Sequence, residues 1–144
     1  MQGTQEQGQS ILAAISDAMV KLHKEQFGRG PTMARSAFAG PDTLVCTLQD
    51  VLLPAERKMV EMGDQGRVRE ARIAFQAATQ DDFVAAVEQI VYRKVRSFAS
   101  AVDPHANTVF ECFSFESEDS GSEGDGTATA QRAGELCEDR QVGM

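Results

Sequence analysis

Two pairs of strand-like segments, separated by helical segments, most constrain how this chain folds. The four predicted strands are residues 32–39, 43–49, 94–102 and 107–115. The second alternates, with Leu44, Cys46 and Leu48 on one face, and a period of two is typical of a strand with one buried face. The Ala-Gly-Pro-Asp sequence of residues 39–42 is a turn signal. The pattern therefore predicts two β-hairpins.

Helical periodicity fills the remainder of the folded part. The predicted helices are residues 5–27, 54–62 and 65–91. In the first, Ile15, Met19 and Leu22 recur at three- and four-residue steps, which indicates one apolar stripe. Gly28 tolerates the left-handed conformation that ends many helices, and Pro54 suits a first helical position. The order α-β-β-α-α-β-β predicts an α+β two-layer sandwich, with an antiparallel or mixed four-stranded sheet and the helices on one face.

Charge divides the chain into a folded part and a tail. The sequence has 144 residues and a net charge of −8, and the residues from Glu116 onward carry eight acidic side chains against two arginines. This last stretch has no aromatic residue, so it has little apolar surface to offset the entropy of ordering it. We expect one domain over residues 1–116 and an acidic disordered tail over residues 117–144.

The sequence lacks the signals of several protein classes. No run approaches the roughly 18 apolar residues of a membrane helix, and the first nine residues lack the features of a secretion signal, so we expect a cytoplasmic protein. Cys46, Cys112 and Cys137 are odd in number and widely spaced, which fits reduced thiols. No zinc, dinucleotide or P-loop motif occurs, so we expect neither metal nor cofactor. A slightly acidic body with core-patterned aromatic residues makes nucleic acid an unfavoured partner.

The residues that could perform catalysis are few. His23 follows Leu22 on the first helix, and a hydrogen-bonded structural histidine is favoured there over a catalytic one. A thiol in a strand, such as Cys46, behaves more often as a small apolar residue than as a nucleophile. An enzyme that uses His23 or Cys46 is therefore the least supported hypothesis. We expect a protein without catalytic residues.

The sequence Gly-Arg-Gly-Pro-Thr at residues 28–32 is the most distinctive short string. Its glycines let the backbone bend sharply and hold the Arg29 guanidinium outward, which suits an anion or a carboxylate. A helix-to-strand turn, however, also needs glycine for its geometry alone, and a proline removes one backbone donor from any anion nest. The candidate ligand-binding residues are His23, Arg29, Gly30, Thr32 and Arg35.

Several strings in order resemble the MpsC-like family, which is named for its association with sodium-translocating, membrane-potential-generating systems in bacteria. The resemblance covers residues 9–116. The strings that carry it are Ile15 to Ala18, Leu22 to Glu25, Phe27 to Thr32, Leu53 to Glu56, Arg69 to Phe75, Phe83 to Glu88, Arg93 to Val95 and Val109 to Glu116. The resemblance implies a small accessory component without a membrane segment, and it supplies no catalytic residues.

The chain departs from the family pattern at two positions. Leu53 stands where the family has a hydroxyl residue that caps the second helix, and Tyr92 stands where the family has a glycine that ends the third. Tyr92 therefore either adopts an unfavourable backbone angle or lets the helix continue for another turn. Asp64 has the side chain of an N-cap for the third helix. The Thr and Asp residues within 79–82 could also cap the start of a new helix, which would divide the third helix in two.

Three functional hypotheses follow from these patterns. The first is a non-enzymatic cytosolic accessory or regulatory protein, a homodimer, which contacts a membrane ion or inorganic-carbon transport system through sheet edges or helix surfaces. The alternative is a small-molecule or anion-binding sensor that uses the Gly28–Thr32 turn with Arg35. The enzyme hypothesis is the third.

Overall fold

The secondary structure follows the predicted order. The structure, a computed structural model, describes residues 3–117. Its elements are α1 (Gly3–Phe27), β1 (Met33–Phe38), β2 (Thr43–Gln49), α2 (Pro54–Glu61), α3 (Gln65–Val91), β3 (Val95–Asp103) and β4 (Thr108–Phe115). The α+β prediction is therefore confirmed. The predicted disordered tail and Cys137 lie outside the described residues, apart from Ser117.

The four strands form one sheet in the order β1-β2-β4-β3. Every neighbouring pair is antiparallel, so the sheet is not mixed. The two hairpins join through their second strands, where Leu44 lies opposite Phe113. Both of these side chains are fully buried, because β2 and β4 occupy the centre of the sheet.

All three helices pack on one side of this sheet, as predicted. Helix α1 contacts β1, β2 and α3, α3 contacts β3, and α2 packs against α3. Between the two layers lies a single hydrophobic core. Its buried members are Ile15, Met19, Leu44, Cys46, Leu48, Val51, Leu52, Val68, Phe83, Val87, Val109, Phe113 and Phe115. No helix in the described part of the chain combines the length and the apolar character needed to cross a bilayer.

The third helix runs without a break from Gln65 to Val91. Phe83 and Val87 are buried just beyond the predicted break, so packing against the core favours a continuous helix. Asp64 precedes the helix, but its side chain makes no capping hydrogen bond. Tyr92 ends the helix in the left-handed conformation, with φ 59° and ψ 36°. Of the two alternatives predicted for Tyr92, it therefore adopts the unfavourable backbone angle, and the helix does not continue.

The second helix begins without a side-chain cap from Leu53. Instead, the Leu53 N–H donates a 2.9 Å hydrogen bond to Glu56 Oε1, which is the half of a capping box that does not need a hydroxyl residue. Pro54 occupies the first helical position, where it costs no hydrogen bond. The missing hydroxyl is thus replaced in part by a carboxylate within the helix.

Candidate functional site

A small cavity lies between α1, α3 and the inner face of strands β3 and β4. Its volume is about 30 Å³, enough for roughly two water-sized groups. We call it the His23–Glu111 cavity. Its lining residues are His23, Gln26, Phe27, Arg72, Ile73, Gln76, Thr79, Phe83, Ser100, Val102, Val109 and Glu111. An apolar wall with a few convergent polar groups is the usual character of a small-molecule site.

The deepest polar contact in this cavity joins His23 to Glu111. His23 follows Met19 by one helical turn, so it falls on the buried stripe of α1 and is 3% exposed. Glu111 is also 3% exposed, because it points inward from β4. His23 Nε2 lies 3.2 Å from Glu111 Oε1. Phe27 stacks on the imidazole at 5.7 Å, and Phe83 meets it edge-on at 5.5 Å, so aromatic rings fix its orientation.

The second oxygen of Glu111 has no hydrogen-bond partner within the described part of the chain. Among residues 3–117, Glu111 Oε2 and Gln26 Oε1 are buried without a hydrogen bond. On β4, Glu111 lies between Cys46 of β2 and Ser100 of β3 in the sheet register. Buried polar atoms are nearly always satisfied, by protein or by water, so two unsatisfied acceptors beside one cavity require an explanation.

Arg72, which also lines the cavity, forms an ion pair with Glu56 of α2. Arg72 Nε lies 2.8 Å from Glu56 Oε2, and Arg72 Nη2 lies 2.6 Å from Glu56 Oε1. The same Nη2 donates to the Val51 carbonyl oxygen at 3.1 Å, and the guanidinium carbon sits 4.1 Å from the Phe27 ring centroid. Burial alone would raise the pKa of Glu56, but the hydrogen bonds from Arg72 and from the Leu53 N–H, with the arginine charge, hold it below its usual value.

The thiol nearest to these groups is not activated. Burial, with a smaller contribution from the Glu111 charge, raises the pKa of Cys46 to about 11, although the hydrogen bond that the Ser36 hydroxyl donates to its sulfur acts in the opposite direction. A thiol with this pKa carries almost no thiolate at neutral pH. Cys46 is buried, as predicted, but Cys112 is only half-buried, because it points to the opposite face of the sheet. The described residues contain no group of three acidic, histidine or cysteine side chains that could hold a metal ion.

The Gly28–Thr32 turn is held by hydrogen bonds within the protein. Arg29 Nη1 donates to the carbonyl oxygens of Asp50 and Leu52, each at 3.0 Å, and Arg29 Nη2 lies 2.7 Å from Asp50 Oδ2. The hydrogen bond from Arg29 is the main reason that the pKa of Asp50 is lowered. At Gly30, an added Cβ would come within 3.2 Å of the Val20 carbonyl oxygen, so this turn packs closely against α1. The Arg29 guanidinium therefore binds the loop that follows β2.

The five predicted ligand-binding residues lie in three places. His23 lines the cavity, whereas Arg29, Gly30 and Thr32 form the α1–β1 connection, where the Thr32 N–H donates to the Gln49 carbonyl oxygen at 3.1 Å. Arg35 is exposed on the outward face of β1, beside a surface depression. The ligand-binding role of all five residues stays a prediction, and only His23 reaches the cavity.

The sequence interpretation missed Glu111, Arg72 and Gln26. Glu111 had a readable signal, because it occupies an inward position on β4 between Val109 and Phe113, where a carboxylate needs a buried partner. Arg72 follows Val68 by four residues on α3, so it lies on the buried face of that helix. Both partners come from distant segments, and no local pattern identifies them.

Comparison with known proteins places the chain in a family. No curated protein and no solved structure is significantly similar to it. A family model described as "Na+-translocating membrane potential-generating system (MpsC)" matches residues 7–117, which span all four strands, α2, α3 and most of α1. The match confirms the resemblance found in the sequence, and the chain belongs to the MpsC family.

Proposed function

We propose that this chain is a non-enzymatic cytoplasmic accessory protein that acts as a homodimer, through protein–protein contacts with a membrane ion or inorganic-carbon transport system. Membership of the MpsC family suggests association with a Na+-translocating membrane potential-generating system. The observation that carries the proposal further is the outward face of the sheet, which none of the three described helices covers.

This outward face carries an apolar row across all four strands. The register aligns Ala37 with Val45, Val45 with Cys112, and Cys112 with Ala99. Phe110 lies on the same face in the next row and is 41% exposed. We call these five residues the outer stripe. The solvent face of an antiparallel sheet is ordinarily polar, so an apolar row of this length favours a protein partner.

A second copy of the chain is the occupant that this face fits. Two sheets that pack face to face keep their strands roughly aligned, about 10 Å apart. A two-fold axis parallel to the strands places β1 of one copy over β3 of the other. The outer stripe of one copy then faces the outer stripe of the other, with the strand order reversed. The strand that carries Arg35 in one copy lies over the strand that carries Asp103 in the other, so opposite charges occur at both edges of the interface.

The dimer is tested by sedimentation equilibrium over a wide range of protein concentration. We expect the wild-type chain to dimerise and Phe110→Asp to remain monomeric, because a carboxylate would be buried in the interface. Tyr92→Asp is the matched control, since Tyr92 is 90% exposed and lies outside the outer stripe. A monomeric wild-type chain, or a Phe110→Asp variant that dimerises as the wild type does, would contradict the proposed interface.

The outer stripe also contains its own reporter, the half-buried thiol of Cys112. In a Cys137→Ser background, we expect its maleimide reaction to become faster on dilution, because dissociation uncovers the thiol. In Phe110→Asp the rate should no longer depend on protein concentration. A concentration-independent rate in the parent chain would place Cys112 outside any interface.

The membrane association is tested in cells that lack the chain. We expect their sodium-dependent membrane potential, measured with a potential-sensitive dye, to fall and to be restored by the wild type and by Tyr92→Asp. Phe110→Asp should fail to restore it while accumulating to the same level. An unchanged potential in the absence of the chain would refute the accessory role.

A further inference from the structure

Two buried oxygen atoms beside the His23–Glu111 cavity receive no hydrogen bond from the described residues. Glu111 Oε2 and Gln26 Oε1 are both acceptors, and neither has a hydrogen-bond partner among the described residues. Both side chains line the same cavity. A buried carboxylate normally accepts several hydrogen bonds, whereas the Glu111 carboxylate has one polar partner among the described residues, His23 Nε2 at 3.2 Å.

The charges around the cavity favour a cationic ligand. Arg72 is neutralised by Glu56 through two contacts of 2.6 and 2.8 Å. Within residues 3–117 Glu111 has no comparable partner, because the imidazole engages only one of its oxygens. A positively charged donor would compensate a buried carboxylate, whereas an anion would add repulsion.

The size of the cavity and the apolar character of its walls limit which positively charged donor can bind there. The cavity holds about 30 Å³, which corresponds to roughly two non-hydrogen atoms of water size. Phe83, Val102 and Val109 form apolar walls, and Ile73, which is 56% exposed, lies at the rim. These walls suit a carbon stem rather than a second charge.

We propose that the His23–Glu111 cavity binds a small primary ammonium group. Its N–H groups donate to Glu111 Oε2 and to Gln26 Oε1, and its carbon stem lies against Phe83 and Val102. A stem longer than one carbon leaves the cavity past Ile73. The site lies on the inner side of the sheet, so it is independent of the outer stripe and of the proposed dimer.

The test is an NMR titration of the full-length, isotope-labelled chain with methylammonium chloride at constant ionic strength. We expect saturable shifts of the His23 ring nitrogens and of the Glu111 backbone amide. Tetramethylammonium chloride, which is cationic but has no N–H group, should produce no saturable shift. Sodium chloride at the same concentration controls for an alkali cation.

Three variants separate binding in the cavity from other effects. Glu111→Gln should weaken binding at least tenfold. Glu116→Gln, which removes an exposed carboxylate directly after the end of β4, should bind as the wild type does. Ser100→Val keeps the Glu111 carboxylate but fills part of the cavity, so it should also weaken binding. The amide spectrum of each variant reports whether it is folded.

Several results would overturn the proposal. Equal saturable shifts with sodium would assign the cavity to an alkali cation, and shifts with tetramethylammonium would show that N–H donation is not required. If no salt produces saturable shifts, the cavity holds water only. Binding that survives in folded Ser100→Val and Glu111→Gln variants would place the ammonium site elsewhere.

Discussion

Replacing Arg72 by methionine tests whether the Arg72–Glu56 ion pair stabilises the fold. Methionine retains an apolar stem of similar length but removes the guanidinium. The change eliminates two hydrogen bonds to Glu56 and one to the Val51 carbonyl oxygen. The side chains of Arg72 and Glu56 are 7% and 15% exposed, so the carboxylate left behind is poorly solvated.

The expected loss is about 3 kcal/mol in the free energy of unfolding, the lower end of the range for removing one partner of a buried ion pair. The lower end applies because Glu56 keeps its hydrogen bond from the Leu53 N–H. Urea denaturation measures the loss. Arg69→Met, an exposed arginine one turn earlier on α3, should change stability by less than about 0.5 kcal/mol.

The double variant Arg72→Met/Glu56→Met separates the pair from its packing. With both charges removed, no uncompensated carboxylate remains, so we expect the double variant to be more stable than Arg72→Met alone. If Arg72→Met costs less than about 1 kcal/mol, or if the double variant loses the sum of the two single losses, the pair does not act as a coupled unit.

Acid titration gives an independent check on the same pair. The pKa of Glu56 is lower in the folded protein than its usual value of 4.5. Its stabilising contribution is therefore complete above that value and is lost as the pH falls through the lowered pKa. We expect the stability difference between wild type and Arg72→Met to shrink in this acidic range, because Glu56 becomes protonated in both proteins. A difference that stays constant down to pH 2 would contradict this assignment.

Three further changes have defined outcomes. Tyr92→Gly should raise the free energy of unfolding by about 1 kcal/mol in urea denaturation, because Tyr92 has φ 59° and is 90% exposed, so glycine relieves strain without loss of packing. Asn107→Ala should cost about 2–3 kcal/mol, because Asn107 Oδ1 accepts hydrogen bonds from two backbone N–H groups of the β2–α2 loop, and Asn107→Asp should recover part of this loss. In a chain whose other cysteines are serine, Cys46 should react with a disulfide reagent far more slowly in the folded state than in urea at neutral pH, because burial raises its pKa to about 11.

The order and type of the elements were predictable because their signals are local. The period of two in β2 and the spacing of Ile15, Met19 and Leu22 in α1 arise from the geometry of each element. The end of α1 was also readable, because Gly28 adopts the positive φ angle that its position predicted. These features do not depend on the partner of each segment.

The strand order and the buried charges were not predictable in the same way. That β2 pairs with β4 rather than with β3 depends on the packing of whole hairpins, and no residue in either strand specifies it. Arg72 meets Glu56 from another helix, and Glu111 meets His23 from a segment 88 residues away. Single-segment periodicity identified apolar core positions such as Ile15, Met19 and Leu44, but neither the burial of Arg72 and Glu111 nor their partners.

The Arg72–Glu56 and His23–Glu111 pairs differ in how completely their polar atoms are hydrogen-bonded. Arg72 and Glu56 satisfy each other through two close contacts, and each also bonds to a backbone group, so this pair ties α2 to α3 and to the loop at Val51. The pair of His23 and Glu111 is incomplete, because Glu111 Oε2 is buried beside the cavity and receives no hydrogen bond from any of the described residues. An incomplete polar group lowers stability unless something else completes it. The complete pair therefore fits a role in the scaffold, whereas the unsatisfied oxygen of the other pair is the observation on which the proposed ammonium site rests.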